Sequence, residues 1–475
     1  MIIGRKKELE ILNSTLQDDY SHFVAIYGRR RIGKTFLIRE AFNYRFTFQH
    51  AGLSEGGLKD QLFAFESSIK DAGGKPEKKR KNWLEAFEDL KDVIRNSTEK
   101  KKIIFIDELS WMDTQNSDLM VALENFWNGW ASGRRDVVLI VCASATSWML
   151  SKIVHNKGGL YNRLTEQIHL QSFTLSECRE YVQSKNLVLT ESQILQYYMI
   201  FGGVPFYWGF LKKGLSLPQN IDEILFAKNA PLADEFKYLY SSIFKKPETY
   251  IKIIETLATK KVGMTREEII ANSGIVNSGD LTKKLEELES CGFIRKYDSF
   301  GMKKKNAVYQ LIDNYTLFYY QFLKNKPSDE RFWSNQINMP QINTWQWLAF
   351  ERVCLEHISE IKSKLGISGV QTDVNSWYCT RDVDKGINGS QIDLLIVRRD
   401  QVINLCEIKF SNSDFTVTES VDESIRKKIA DFVNITKTKY AIYPTLITTY
   451  GMVQNSYSGN IQSVITLKDL FTKRE

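Results

Sequence analysis

Runs of apolar residues and amphipathic stretches alternate along the chain. HFVAIY (22–27) is an unbroken apolar, β-branched and aromatic run of strand length, and FLIREAF (36–42) after it carries apolar residues at helical spacing. IIFID (103–107) and DVVLIVCAS (136–144) are again near-continuous apolar runs, as strands buried on both faces should be. The pattern predicts an α/β core with a parallel sheet. From about 172 to 240 the periodicity turns helical. SFTLSECREYVQS opens with Thr174 or Ser176 as caps, and ILQYYMIFGG closes in glycines, which suits a small helical lid. Residues 247–325 read as three short helices followed by two strands, FIRKY and AVYQLID, bridged by DSFGMKKKN. After about 340, an amphipathic helix WQWLAFERVCLEHI precedes two strands, SQIDLLIVRRD and VINLCEIKF. The expected domains are 1–171, 172–244, 245–328 and 340–475.

Composition narrows the class. The chain has 475 residues, enough for two to four domains with cores of their own. A net charge of +7 permits a nucleic-acid partner without demanding one. The 6 cysteines contain no C-x-x-C pair, so zinc ribbons and disulfide frameworks are not expected and a reducing compartment fits. The first residues turn charged at once, and no apolar run is long enough to span a bilayer, so the expectation is a cytoplasmic protein with no membrane partner. The charge run KPEKKRK (75–81) reads as a solvated loop.

Candidate chemistry concentrates in GRRRIGKT (28–35), a G-x-x-x-x-G-K-T loop between a strand and a helix. Its backbone N–H groups would face the β-phosphate of ATP, with Gly28 and Gly33 allowing close approach. Lys34 would reach the β/γ oxygens and the Thr35 hydroxyl would ligate Mg²⁺, at a helix N-terminus that favours anions. Arg31, Ile32 and Phe36 complete the nucleotide-binding stretch. IIFID ends in Asp107 and is followed by Glu108. One acid can hold hydrated Mg²⁺ while the other orients the attacking water. Ser144 ends the next strand, where it would sense the γ-phosphate, and Arg163 precedes the one after. Near the C-terminus, Asp393 is followed about fourteen residues on by Glu-x-Lys, Glu407 and Lys409. Strand alternation puts these two on one face, an arrangement suited to metal-dependent phosphodiester chemistry. Asp393 and Glu407 would hold Mg²⁺, Lys409 would position water or stabilise charge, and Glu351 would complete the site from its helix.

The order GRKKEL, GRRRIGKT, IIFIDEL, CASATSWM, GGLYNRLT, IHLQSFTLSE and GGVPFYW resembles the archaeal-type ATPase family, AAA+-related proteins close to the STAND and origin-initiator ATPases. The resemblance runs through roughly the first 325 residues. It implies that Ile3, Gly4 and Arg5 lie by the adenine, that Arg163 is an arginine finger acting in cis or across a homo-oligomer, and that Pro205 is the lid proline touching the base. No sensor arginine stands around GGVP. Residues 247–325 resemble the winged helix-turn-helix of that family, with a recognition helix near 279–289 carrying Lys283 and Lys284 and a wing tipped by Lys303, Lys304 and Lys305. The last 130 or so residues resemble the PD-(D/E)XK nuclease-like domain fused to such ATPases. There Ile392 replaces the proline before Asp393, and Gln391 stands where relatives often have Glu.

Two functions of different class follow. One is an ATP-hydrolysing switch whose nucleotide state controls a DNA-handling C-terminal half, with double-stranded DNA as the candidate partner and nuclease activity left open. The other is a regulator or protein-partner module in which ATP sets conformation and the nuclease-like domain is inactive. A chaperone-like ATPase is the weakest alternative, since nothing resembles a substrate-threading pore loop.

Overall fold

The computed structural model describes residues 2–144, 147–244, 246–298, 300, 307–336, 339–379 and 389–473. The expected wing lysines Lys303, Lys304 and Lys305 lie outside the described residues. The chain forms two compact units. The first comprises residues 1–172, 242–245 and 282–291, and the second comprises 173–241, 246–281 and 292–475.

The first unit is built on five parallel strands, β1 (His22–Gly28), β2 (Phe48–Ala51), β3 (Lys102–Asp107), β4 (Val137–Ser144) and β5 (Glu166–Leu170), in the order β2-β3-β4-β1-β5. The apolar runs have their physical reason here: alternate residues of the central strands β1, β3 and β4 enter different cores. Phe23 and Ala25 of β1 pack with the helices Leu58–Asp71, Trp83–Asn96 and Leu119–Gly129, whereas Val24 and Ile26 pack with Lys6–Ser14 and Lys34–Ala41. Both cores exclude water, so a polar residue in mid-strand would be costly and the functional side chains stand at the strands' carboxyl ends. The segment 282–291 clusters with this unit, although its helix, Gly279–Ser290, was expected to read a nucleic-acid groove.

The second unit opens with helices Leu175–Ser184 and Glu191–Phe201, each started by a capping box, Thr174 with Glu177 and Thr190 with Gln193. Helices Pro247–Ala258 and Arg266–Ser273 accompany a small sheet of β6 (Met264–Thr265), β7 (Ile294–Tyr297) and β8 (Val308–Leu311), in the order β6-β8-β7. An aromatic knot of Phe226, Phe318, Phe322, Trp333 and Trp345 follows, in edge-to-face and tilted pairs with centroids as close as 5.0 Å. The last sheet is mixed. Strands β9 (Thr372–Cys379), β10 (Ser390–Arg398) and β11 (Val402–Lys409) are antiparallel, while the later strands β13 (Ala441–Thr448) and β15 (Ser463–Ile465) run parallel to β11. The short pair β12 (Phe415–Thr416) and β14 (Met452–Val453) stands apart. Helices Pro340–Glu356 and Glu419–Thr436 pack against this sheet. No helix among the described residues is long and apolar enough to cross a membrane.

Candidate functional site

The phosphate loop leaves β1 at Gly28, whose φ of +153° comes with a close approach. A Cβ there would stand 2.4 Å from the Leu170 carbonyl oxygen on the neighbouring β5 and 2.8 Å from Ile32 Cδ1. The loop turns through Arg31 (φ +70°) and Gly33 (φ +91°) into the helix Lys34–Ala41. Ile32 is buried in the core beneath the loop and Phe36 is exposed. Lys34 is buried, and its ammonium folds back over the loop, donating to the carbonyls of Gly28 at 3.2 Å and Arg29 at 3.0 Å.

Two strands away, β3 delivers its carboxylates to the same place. The Thr35 hydroxyl donates to Asp107 Oδ2 at 2.6 Å. Magnesium takes octahedral oxygen ligands, and a hydroxyl and a carboxylate held this close fit that donor set. Glu108 follows the strand in the left-handed conformation (φ +47°), and its N–H donates to Asp107 Oδ1 at 3.0 Å. Burial raises the Glu108 carboxyl above its ordinary range. Lys34 and Arg30 oppose the rise and Asp107 adds to it. A carboxyl whose proton affinity is raised has the basicity that general-base catalysis calls for. Ser144 ends β4 in register with Gly28 and is buried.

The other expected residues stand as follows. Gly4 and Arg5 are both left-handed, and the Arg5 guanidinium donates to the Gln171 carbonyl at 2.6 Å and pairs with Glu8 at 3.6 Å. Ile3 precedes them, half-buried. Arg163 is exposed in the turn before β5, its N–H bonded to Leu160. Pro205 opens the helix Pro205–Trp208 of the second unit.

The second unit gathers the C-terminal candidates in a cleft of about 350 Å³ lined by Glu351, Asp393, Glu407 and Lys409. Strands β10 and β11 pair from Val397 opposite Ile403 to Leu394 opposite Cys406, and Asp393 and Glu407 are the next residues along each strand. Glu407 accepts from Lys409 at 2.9 Å and from Lys428 at 2.7 Å. Burial alone would push its carboxyl up, but the two lysines outweigh burial and hold it below the usual range. Lys409 also lies over the Trp347 ring, 4.7 Å from its centroid. Asp393 accepts from Gln391 at 2.5 Å. Glu351 is buried and accepts from Lys261 at 2.9 Å, and its carboxyl is raised to about 7 by burial, then by Asp393, with Lys261 opposing. Among the described residues no group of three or more His, Cys, Asp or Glu side chains is arranged to hold a metal ion. The oxygen donors suit a hard cation, but Glu407 and Glu351 meet lysines instead.

Sequence reading did not single out Lys261, Arg295 or Lys428. Lys428 left a weak trace, since IRKKIA places it on the polar side of an amphipathic helix. Lys261 left none, because its partner is 90 residues away.

A family described as an ATPase domain predominantly from Archaea matches residues 2–208. An uncharacterized protein of Methanocaldococcus jannaschii is 24% identical over 417 residues, spanning 87% of this chain and 88% of that one. An uncharacterized ATP-binding protein of the same organism is 42% identical over 40 residues, covering 8% of this chain and 68% of that one. Among solved structures, the Walker-type ATPase of Pyrococcus abyssi shares the fold with a TM-score of 0.50 at 17% identity, covering 68% of this chain and 96% of that one. The loop, the strand order and these matches agree that residues 2–208 carry an archaeal-type ATPase domain with the fold of P-loop ATPases.

Proposed function

We propose that this chain is an ATP-hydrolysing switch of the AAA+/STAND type whose second unit handles nucleic acid. The observation that carries the ATPase reading is the 2.6 Å bond from Thr35 to Asp107, with Glu108 next in the chain. These residues converge from separate strands on the open end of the sheet. Thr35 and Asp107 would hold Mg²⁺, which would neutralise charge on the β- and γ-phosphates. Lys34 leaves the loop carbonyls to meet the γ-phosphate, the loop N–H groups take the β-phosphate, and Glu108 orients and deprotonates the attacking water. Ser144 reports the γ-phosphate from β4, Ile3, Gly4 and Arg5 lie by the base, and Arg163 serves as the finger. Turnover of Mg-ATP by the purified chain tests the reading. Lys34→Ala should lower it by about 10²-fold with the far-ultraviolet dichroism unchanged, and an undiminished rate would sink the assignment.

For the second unit, the helices Pro247–Ala258 and Arg266–Ser273 with the sheet β6-β8-β7 support a winged-helix reading. The cleft of Asp393, Glu407 and Lys409 supports a PD-(D/E)XK-like phosphodiester site in which Mg²⁺ would sit on Asp393 and Glu407, with Glu351 beside them. Asp393→Ala should abolish Mg²⁺-dependent cleavage of double-stranded DNA while leaving ATP turnover intact. The lysines on Glu407 favour a second reading, in which the cleft binds nucleic acid without cutting it. Wild type and Asp393→Ala that both bind DNA and both leave it whole would select that reading.

A further inference from the structure

The loop between the helix Pro247–Ala258 and β6 presents Lys261 on a backbone held at three points. Gln310 Nε2 donates to the Lys261 carbonyl at 2.7 Å, and the Tyr297 hydroxyl donates to the Val262 carbonyl at 2.5 Å. Gly263 has φ +83°, and a Cβ on it would lie 2.4 Å from the Tyr309 carbonyl oxygen, so only glycine lets the loop close onto β8. From this fixed loop the ammonium reaches both carboxylate oxygens of Glu351, at 2.9 and 3.1 Å.

The two partners differ in exposure. The Glu351 side chain is 7% exposed and that of Lys261 is 39% exposed. As a stabilising ion pair, a contact whose lysine is this open to solvent contributes little. That is too little to account for a loop fixed at three points and for the glycine it requires. What the loop secures is the place of the charge. Lys261 lines the same cleft as Asp393, Glu407 and Lys409, with Lys427 and Lys428 of the helix Glu419–Thr436. On its other side is a narrower seam, where Lys261, Arg295, Tyr297, Gln310, Glu351 and Asp393 line a void of about 20 Å³, room for about one water. Arg295 there donates to Gln310 at 2.7 Å and lies over the Tyr297 ring, so it serves the seam and leaves the open face to Lys261.

We propose that Lys261 is a substrate-binding residue of the cleft, supplied from outside residues 340–475, and that it takes a phosphate oxygen of a nucleic-acid backbone laid across Asp393 and Glu407, with Lys427 and Lys428 as further backbone contacts. The inference rests on the phosphodiester reading of the cleft. It makes the site composite: the small-sheet module is a wall of the cleft, and the C-terminal α/β domain is incomplete without it.

The test is equilibrium binding of a fluorescein-labelled DNA duplex to the full chain in EDTA, followed over a range of salt. Each lysine that neutralises a phosphate contributes about 0.9 to the slope of log affinity against log salt. Lys261→Met should weaken binding and lower the slope by about that amount, and Lys261→Arg should restore it. A Lys261→Met chain with the wild-type affinity and slope overturns the proposal, as does one whose melting temperature alone has moved, the mark of a purely structural pair. If Lys427→Met lowers the slope in the same series, the cleft reading survives that failure. A wild-type chain that binds no duplex overturns both.

Discussion

Glu108→Gln should lower ATP turnover by about 10²–10⁴-fold while Mg-ATP still binds with close to wild-type affinity. The change is nearly isosteric, so Thr35, Asp107 and Lys34 keep their places and the phosphate loop is untouched. On the proposed mechanism, what is lost is the carboxylate that takes a proton from the attacking water. The pH dependence separates this from a loss of binding. Burial raises the Glu108 carboxyl, so its working ionised form is reached only at a pH above the ordinary carboxylate range of about 4.3. The wild-type rate should therefore fall on an acidic limb displaced upward from that range, and the residual rate of Glu108→Gln should lack the limb. Single-turnover hydrolysis from pH 5 to 9, with nucleotide binding measured alongside, checks both statements. A Gln variant within threefold of wild type would remove Glu108 from the chemistry.

The phosphate loop and the acid-tipped strand beside it were legible because their pattern is local in sequence. Gly28 to Thr35 is one stretch with a strand before it and a helix after, and Asp107 and Glu108 terminate an apolar strand that can only lie inside a sheet. The order β2-β3-β4-β1-β5 was not legible, since each parallel pairing joins residues far apart and the three central strands are all apolar on both faces. The helix Gly279–Ser290 shows a limit of another kind. Its spacing of Leu281, Leu285 and Leu288 announces a buried face, and all three are buried, as is Glu287. Periodicity states that a face is covered but not by what. Residues 282–291, which include most of that helix, cluster with the first unit. In the C-terminal cleft, Glu407 and Lys409 sit on one strand and alternation pairs them, as their 2.9 Å contact shows. The cations that complete the cleft come from other elements: Lys428 lies 21 residues from its partner and Lys261 lies 90 from its own. A lysine in a polar stretch carries no mark of the carboxylate it will meet.

Gly28→Ala should cost the first unit about 1–3 kcal/mol of stability and at least tenfold in Mg-ATP affinity. Two independent effects act together. The φ of +153° is a conformation that L residues rarely adopt, and the added methyl would stand 2.4 Å from a backbone oxygen of β5. That oxygen belongs to Leu170, which is paired in register with Gly28, so it cannot retreat without opening the β1–β5 ladder. Ile32 Cδ1, at 2.8 Å, is a side-chain end and can give way, but it does so by moving a residue of the phosphate loop. Either relaxation displaces the loop carbonyls of Gly28 and Arg29 that hold Lys34, and with them the N–H groups meant for the phosphates. Denaturant unfolding and nucleotide titration of the same preparation separate the two losses. If the stability falls and the affinity does not, the ladder has yielded and the loop has kept its shape. If neither falls, the close approach at Gly28 does not constrain the loop, and the geometric basis for reading this stretch as a rigid phosphate cradle is gone.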